Sequence, residues 1–150
     1  MRLTSVMIFL AIISFIANAQ ADDKLPVIEL TQTGCQFLQP EGIDHQYKTK
    51  READCAAINS KENVDKRLKS AKVMKLKPGK YVFRVANKDV PYELGFWLRG
   101  QGLKRFIMPS ISGAGLTAGV SKDYVIELKP GKYVYSCPLN PTPDYSVIVE

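Results

Sequence analysis

From Pro26 onward the apolar positions recur mostly with a period of two, the spacing of strands with one buried face. "PVIELTQ" (residues 26–32) alternates, and "AKVMKL" (71–76) leads into a turn. In "KYVFRVAN" (80–87), Tyr81, Phe83 and Val85 share a face. In "YELGFWLRG" (92–100), Leu94, Phe96 and Leu98 lie on one side and Glu93, Gly95 and Trp97 on the other. "KDYVIEL" aligns Tyr124, Ile126 and Leu128; "KYVYSC" aligns Tyr133, Tyr135 and Cys137; "DYSVIVE" closes the chain. About seven short strands punctuated by Gly and Pro predict an all-β sandwich or barrel.

Seven residues, Leu-Lys-Pro-Gly-Lys-Tyr-Val, occur twice, at 76–82 and 128–134. Pro presets φ and Gly accepts a positive φ, so each Lys-Pro-Gly-Lys reads as a type II turn into a strand. Two copies are too few for a repeat array; they predict the same sandwich corner built twice. Two regions break the alternation. Residues 37–71 form an insertion with a capping box, Thr49 to Glu52, and a helix over about 50–59, with room for a second before Ala71. Residues 108–122 are glycine-rich and read as a loop, without the glycine spacing of a phosphate-binding motif.

The first 21 residues carry one Arg, a short apolar run and small residues at Ala17, Ala19 and Ala21. That is the layout of a cleaved secretory signal, giving a single domain over 22–150 in the periplasm or outside the cell, with no span left after cleavage. The formal charge is +6, with lysines scattered among acids rather than gathered in a run, which argues against nucleic acid. The chain has three cysteines and one histidine, His45. In an oxidising compartment one disulfide and one leftover thiol are expected. Cys35–Cys55, bracketing the helical region, is favoured over Cys35–Cys137, which spacing alone leaves open. No hydrolase constellation occurs, so the chain is not expected to be an enzyme.

The run "LKPGKYVYSCPLNP", with an upstream "NKDVPYE" (87–93), resembles the cupredoxin fold. In that family a strand after a Pro-Gly turn ends at a metal-ligating cysteine, a loop follows, and a last strand closes a Greek-key sandwich. The resemblance covers about 76–150, with 27–32 as a first strand and 37–71 inserted. It departs at the ligands: Tyr92 and Asn140 stand at the histidine positions and Tyr145 near that of the methionine. A blue-copper centre needs two histidines with the cysteine, so fast electron transfer is not expected.

The pattern is more similar to the cupredoxin-like domain of periplasmic Efe-type iron-uptake components, on Gly34-Cys35, Asn87 with Glu93, and Cys137 with Asn140-Pro141. That resemblance implies an iron or copper ion, no organic cofactor, and a periplasmic or membrane metal-transport partner. Cys137 would offer a thiolate to a soft ion, Glu93 a carboxylate to a harder one, and Met108 a thioether. Each has a plainer reading: a small buried side chain, a solvated carboxylate, a core filler. The alternative function is a metal-free interaction module, in which the glycine-rich stretch and "GFWLRG" dock a partner. The missing histidines favour that alternative; Cys137 with Glu93 favours the metal.

Overall fold

The computed structural model describes residues 24–150, so the candidate signal lies outside the described residues. Nine strands form two sheets: β1 (Val27–Thr33), β2 (Gln36–Phe37), β3 (Met74–Leu76), β4 (Gly79–Asn87), β5 (Leu94–Gly100), β6 (Ile111–Leu116), β7 (Ser121–Leu128), β8 (Gly131–Ser136) and β9 (Tyr145–Val149). One sheet runs β2-β1-β4-β7 and the other β3-β9-β8-β5-β6. β1 lies parallel to β4 and β3 parallel to β9; the other pairings are antiparallel. The alternating faces become the core: Phe83 and Val85 of β4, Leu94, Phe96 and Leu98 of β5, and Tyr133 and Tyr135 of β8 are buried. Phe37 sets its ring edge against Phe96, Tyr135 and Tyr145. The result is an all-β sandwich of two sheets with a helical insertion. The Pro-Gly corner, strand, cysteine, loop and last strand follow one another as the resemblance implies.

The repeated heptapeptide is the device that moves the chain between layers. The first copy joins β3 of one sheet to β4 of the other; the second joins β7 to β8 in the opposite sense. In both, the tyrosine hydroxyl reaches back to the lysine carbonyl ahead of the Pro-Gly pair: Tyr81 to Lys77 at 2.9 Å and Tyr133 to Lys129 at 3.0 Å. The corner is not the expected type II turn. Gly79 and Gly131 have φ of +151° and +149°, well beyond the value near +80° of that turn, and each already begins its strand. This backbone region belongs essentially to glycine.

The insertion carries α1 (Leu38–Glu41), α2 (Asp54–Ile58) and α3 (Lys61–Ser70). The expected capping box at Thr49 does not form. Thr49 accepts a hydrogen bond from Tyr92 instead, and the Asp54 carboxylate takes the Lys50 and Arg51 amides, so the helix starts later. The glycine-rich stretch is also not all loop, because β6 lies within it, paired to β5. Cys35 and Cys55 are disulfide-bonded, which fastens α2 to the β1–β2 turn. A buried polar group completes the attachment. Arg67 of α3 donates to Glu41 Oε1 at 2.5 Å, to Glu41 Oε2 at 2.9 Å and to the Cys35 carbonyl at 3.1 Å, and Tyr145 donates to Glu41.

Candidate functional site

Cys137 sits just past β8, 1% exposed, with its sulfur accepting the Gly95 amide at 3.2 Å. β5 supplies that amide because it runs antiparallel to β8, with Trp97 opposite Ser136. The Cys137 amide donates to Thr142 Oγ1 at 3.0 Å, which folds the proline-rich loop back over the strand end. Gln32 of β1 donates to the Gly95 carbonyl at 2.8 Å, so both sheets grip the backbone beside the sulfur. Burial pushes the Cys137 thiol above its ordinary range, although the amides of Gly95, Asn140 and Leu139 oppose that rise. The balance describes a protonated, enclosed thiol.

The side chains at the histidine positions are tied into the fold. Asn140 is fully buried; its carbonyl accepts the Cys35 amide at 2.8 Å and the Tyr92 hydroxyl at 3.1 Å, and its amide donates to the Thr33 carbonyl at 2.9 Å. Tyr92 also bonds Thr49 Oγ1 at 3.2 Å, and burial raises its hydroxyl pKa. Asn87 is a clamp: it accepts the Val90 amide at 2.9 Å and donates to the Val90 and Leu116 carbonyls, each at 3.0 Å, fixing the loop that carries Tyr92. Cys35, at φ +59°, occupies a conformation a non-glycine residue seldom takes. The disulfide, Asn140, Arg67 and Asn59 all hold it there.

The other sequence candidates do not converge on the sulfur. Glu93 is exposed, and its Oε1 accepts the Gly115 amide at 2.9 Å on β6. Met108 packs where a Cβ on Gly131 or Gly100 would meet it. Gly131 opens β8 and Cys137 follows its end, a separation of about 20 Å along the strand. Met108 therefore belongs to the opposite end of the sandwich from Cys137. His45 lies in the insertion and bonds Glu41 at 2.7 Å. Among the described residues no group of three or more His, Cys, Asp or Glu side chains could hold a metal ion. A blue-copper centre does not fit this end. Asn140 and Tyr92 are committed to backbone and hydroxyl partners, and the sulfur is enclosed.

Beside the closed end an open apolar cleft of about 400 Å³ runs over the outer face, lined by Trp97, Gly113, Ala114, Pro138 and Leu139 among others. Arg99 stacks on the Trp97 ring at 3.9 Å and bonds Asp144 at 2.7 Å, which stiffens that side of the "GFWLRG" strand. β6 is the last strand of its sheet, so one of its edges has no strand beside it. Sequence reasoning singled out both segments but not the cleft, because Pro138 and Leu139 join it only once the cysteine loop folds back.

No family model and no curated protein sequence matches the chain. Among solved structures the chain is similar to auracyanin A, a blue copper protein from the green thermophilic photosynthetic bacterium Chloroflexus aurantiacus. Identity is 10% and the TM-score 0.49, over 85% of this chain and 100% of that one. A mutant of amicyanin in its reduced Cu(I) form at pH 4 gives 14% identity and a TM-score of 0.40, over 88% of each chain. Lac15 from a marine microbial metagenome gives 15% and 0.41, with 99% of this chain covering 32% of that one. The copper belongs to auracyanin A and amicyanin. The description of this chain rests on its own strand order and side chains.

Proposed function

We propose that this chain is a cupredoxin-like module that works without a metal ion and docks a partner protein. One observation carries the reading: Asn140, at a histidine position, spends both ends of its side chain on the backbone of Cys35 and Thr33. A residue so committed closes the end of the sandwich instead of presenting a ligand. The neighbouring cleft supplies the surface. Its occupant is an extended apolar stretch of the partner, laid along β6, where Ser112, Gly113 and Ala114 are exposed and only the Lys122 ammonium, on the Ala114 carbonyl at 2.8 Å, has to swing aside. Strand addition at an open edge takes its affinity from main-chain hydrogen bonds and its selectivity from pockets such as the one at Trp97 and Leu139.

The test compares a photo-crosslinking residue at Ser112 with one at Val125, an exposed site on the other sheet. The expected result is one specific protein crosslinked from position 112 only, whose copurification is lost in Ala114→Asp. Equal crosslinking from both positions overturns the reading. So does stoichiometric metal in the protein recovered from its exporting host.

A second reading keeps a soft ion on Cys137 and retains the accessory role in metal handling implied by the Efe-type resemblance. The amides of Gly95, Leu139 and Asn140 favour it, since such donors stabilise a thiolate. Titration with copper(I) tests it: one equivalent bound by the parent and none by Cys137→Ser supports this reading over the first.

A further inference from the structure

Of the large apolar side chains that the structure leaves exposed, three fall within five residues. Leu103, Phe106 and Ile107 are 84%, 71% and 83% exposed, on the 3-10 turn Gly102–Phe106 and the residue after it. Lys104 and Arg105 sit between them, and the Arg105 guanidinium lies 4.7 Å from the centre of the Phe106 ring. We propose that this knuckle is a membrane-surface anchor that inserts its apolar tip into the interface of a bilayer carrying anionic phospholipid.

Four features of the knuckle favour a lipid surface over a protein partner. The apolar residues form a projecting tip, and a fluid interface needs no complementary shape to receive one. The turn satisfies part of its own backbone: the Lys104 amide bonds the Gln101 carbonyl, and the Ile107 and Met108 amides bond the Lys104 carbonyl. These bonds lower the cost of bringing it into a water-poor layer. The tip is braced from below. A Cβ on Gly100 would lie 2.7 Å from the Lys104 carbonyl, and Met108 fills the space over Gly100 and Gly131. Met108, a metal candidate from sequence, is here the brace. Finally the surroundings are cationic. Lys104 and Arg105 flank the apolar tip, and in the cleft of about 580 Å³ beside it Asp144 is neutralised by Arg99, which leaves Arg105 as the unpaired charge among the described residues there. Apolar side chains with adjacent cations match acyl chains with phosphate headgroups.

The experiment uses protein recovered from an exporting host and reads position as well as binding. An environment-sensitive fluorophore is attached through Ser110→Cys, next to the knuckle, or through Val125→Cys on the other sheet. Cys137, being buried, does not compete for the label. With vesicles of phosphatidylglycerol and phosphatidylcholine, the label at 110 should shift to an apolar signal and the label at 125 should not. Replacing Leu103, Phe106 and Ile107 together by Ser should abolish the shift without changing the thermal midpoint. Lys104→Glu with Arg105→Glu should weaken it about tenfold or more, and phosphatidylcholine alone should bind comparably weakly. The proposal is overturned if the label at 110 stays in water on anionic vesicles, or if the triple Ser variant inserts as well as the parent. A concentration-dependent dimer lost in that variant also overturns it, since a second copy would then cover the tip.

Discussion

The side-chain carbonyl of Asn140 accepts the backbone amide of Cys35 at 2.8 Å, joining two residues 105 positions apart. This bond ties the loop after Cys137 to the β1–β2 turn, and it holds Cys35 in its positive-φ conformation. Asn140→Ala strands the Cys35 amide and the Thr33 carbonyl in a buried setting. At 1–3 kcal/mol for each unsatisfied group, a loss of about 3 kcal/mol is expected as a lower urea midpoint at unchanged slope. Asn140→Asp keeps the acceptor but loses the donor and buries a charge, so it should not rescue the variant. A destabilisation under about 0.5 kcal/mol, the scale of ordinary surface changes, would mean that the bond does not close this end.

Cys137 should behave as an enclosed thiol. Burial raises its pKa, so little thiolate forms at neutral pH. With Cys35 and Cys55 paired, Ellman's reagent should find no reactive thiol in the native protein and one per chain after unfolding. Added copper(II) should give no intense blue band, because no two histidines meet the sulfur. Rapid native labelling would show that the strand end opens.

Much of the sandwich was legible because buried strands leave a period-two trace. Leu94, Phe96 and Leu98, or Tyr124, Ile126 and Leu128, announce their face directly. β6 left no such trace: "ISGAGL" has few side chains to alternate, and its pairing with β5 defines the strand. The helix start was misplaced because Thr49 has a distant competitor for its hydroxyl, Tyr92, that no local window contains. The surroundings of Cys137 were illegible for the same reason. The motif located Asn140 and Tyr92, but what they do depends on Cys35, Thr33 and Thr49, which lie on other elements. Met108 was one of few soft ligands in the sequence, and only the direction of β8 shows that it lies at the opposite end.

The two corner glycines give a paired prediction. Gly79→Ala and Gly131→Ala both force a side chain into backbone at φ near +150°, costing about 1–3 kcal/mol each. A Cβ at 79 meets nothing closer than 4.0 Å, whereas one at 131 would lie 2.5 Å from Met108 Cε. Gly131→Ala should therefore be the more destabilising in thermal unfolding, by a small margin, because the flexible tip of Met108 has to shift. The excess should shrink in Gly131→Ala combined with Met108→Ala, a double-mutant cycle that isolates the collision from the backbone strain.

Acid should release the insertion through Glu41. Its carboxylate is almost completely buried, which by itself opposes ionisation, yet bonds from Arg67, Tyr145 and His45 bring its pKa below the ordinary 4.5. A pKa depressed in the folded state means that the unfolded chain binds a proton first as pH falls. The stabilisation is complete above about 4.5 and is lost as pH drops through the lower, folded value. Glu41→Gln removes the charge and leaves the Arg67 guanidinium enclosed without its counter-ion. Breaking a buried pair in this way costs about 3–5 kcal/mol at neutral pH. The gap between parent and variant should narrow steadily below the ordinary carboxyl range, because the parent loses what the variant never had. Exposed carboxylates with lowered pKa values, such as Asp54 and Asp123, titrate in both proteins and cancel in the comparison. Urea unfolding of both at a series of pH values from neutral to strongly acid measures the gap. A gap independent of pH would show that Glu41 acts through shape and hydrogen bonding alone, not as the counter-ion of Arg67.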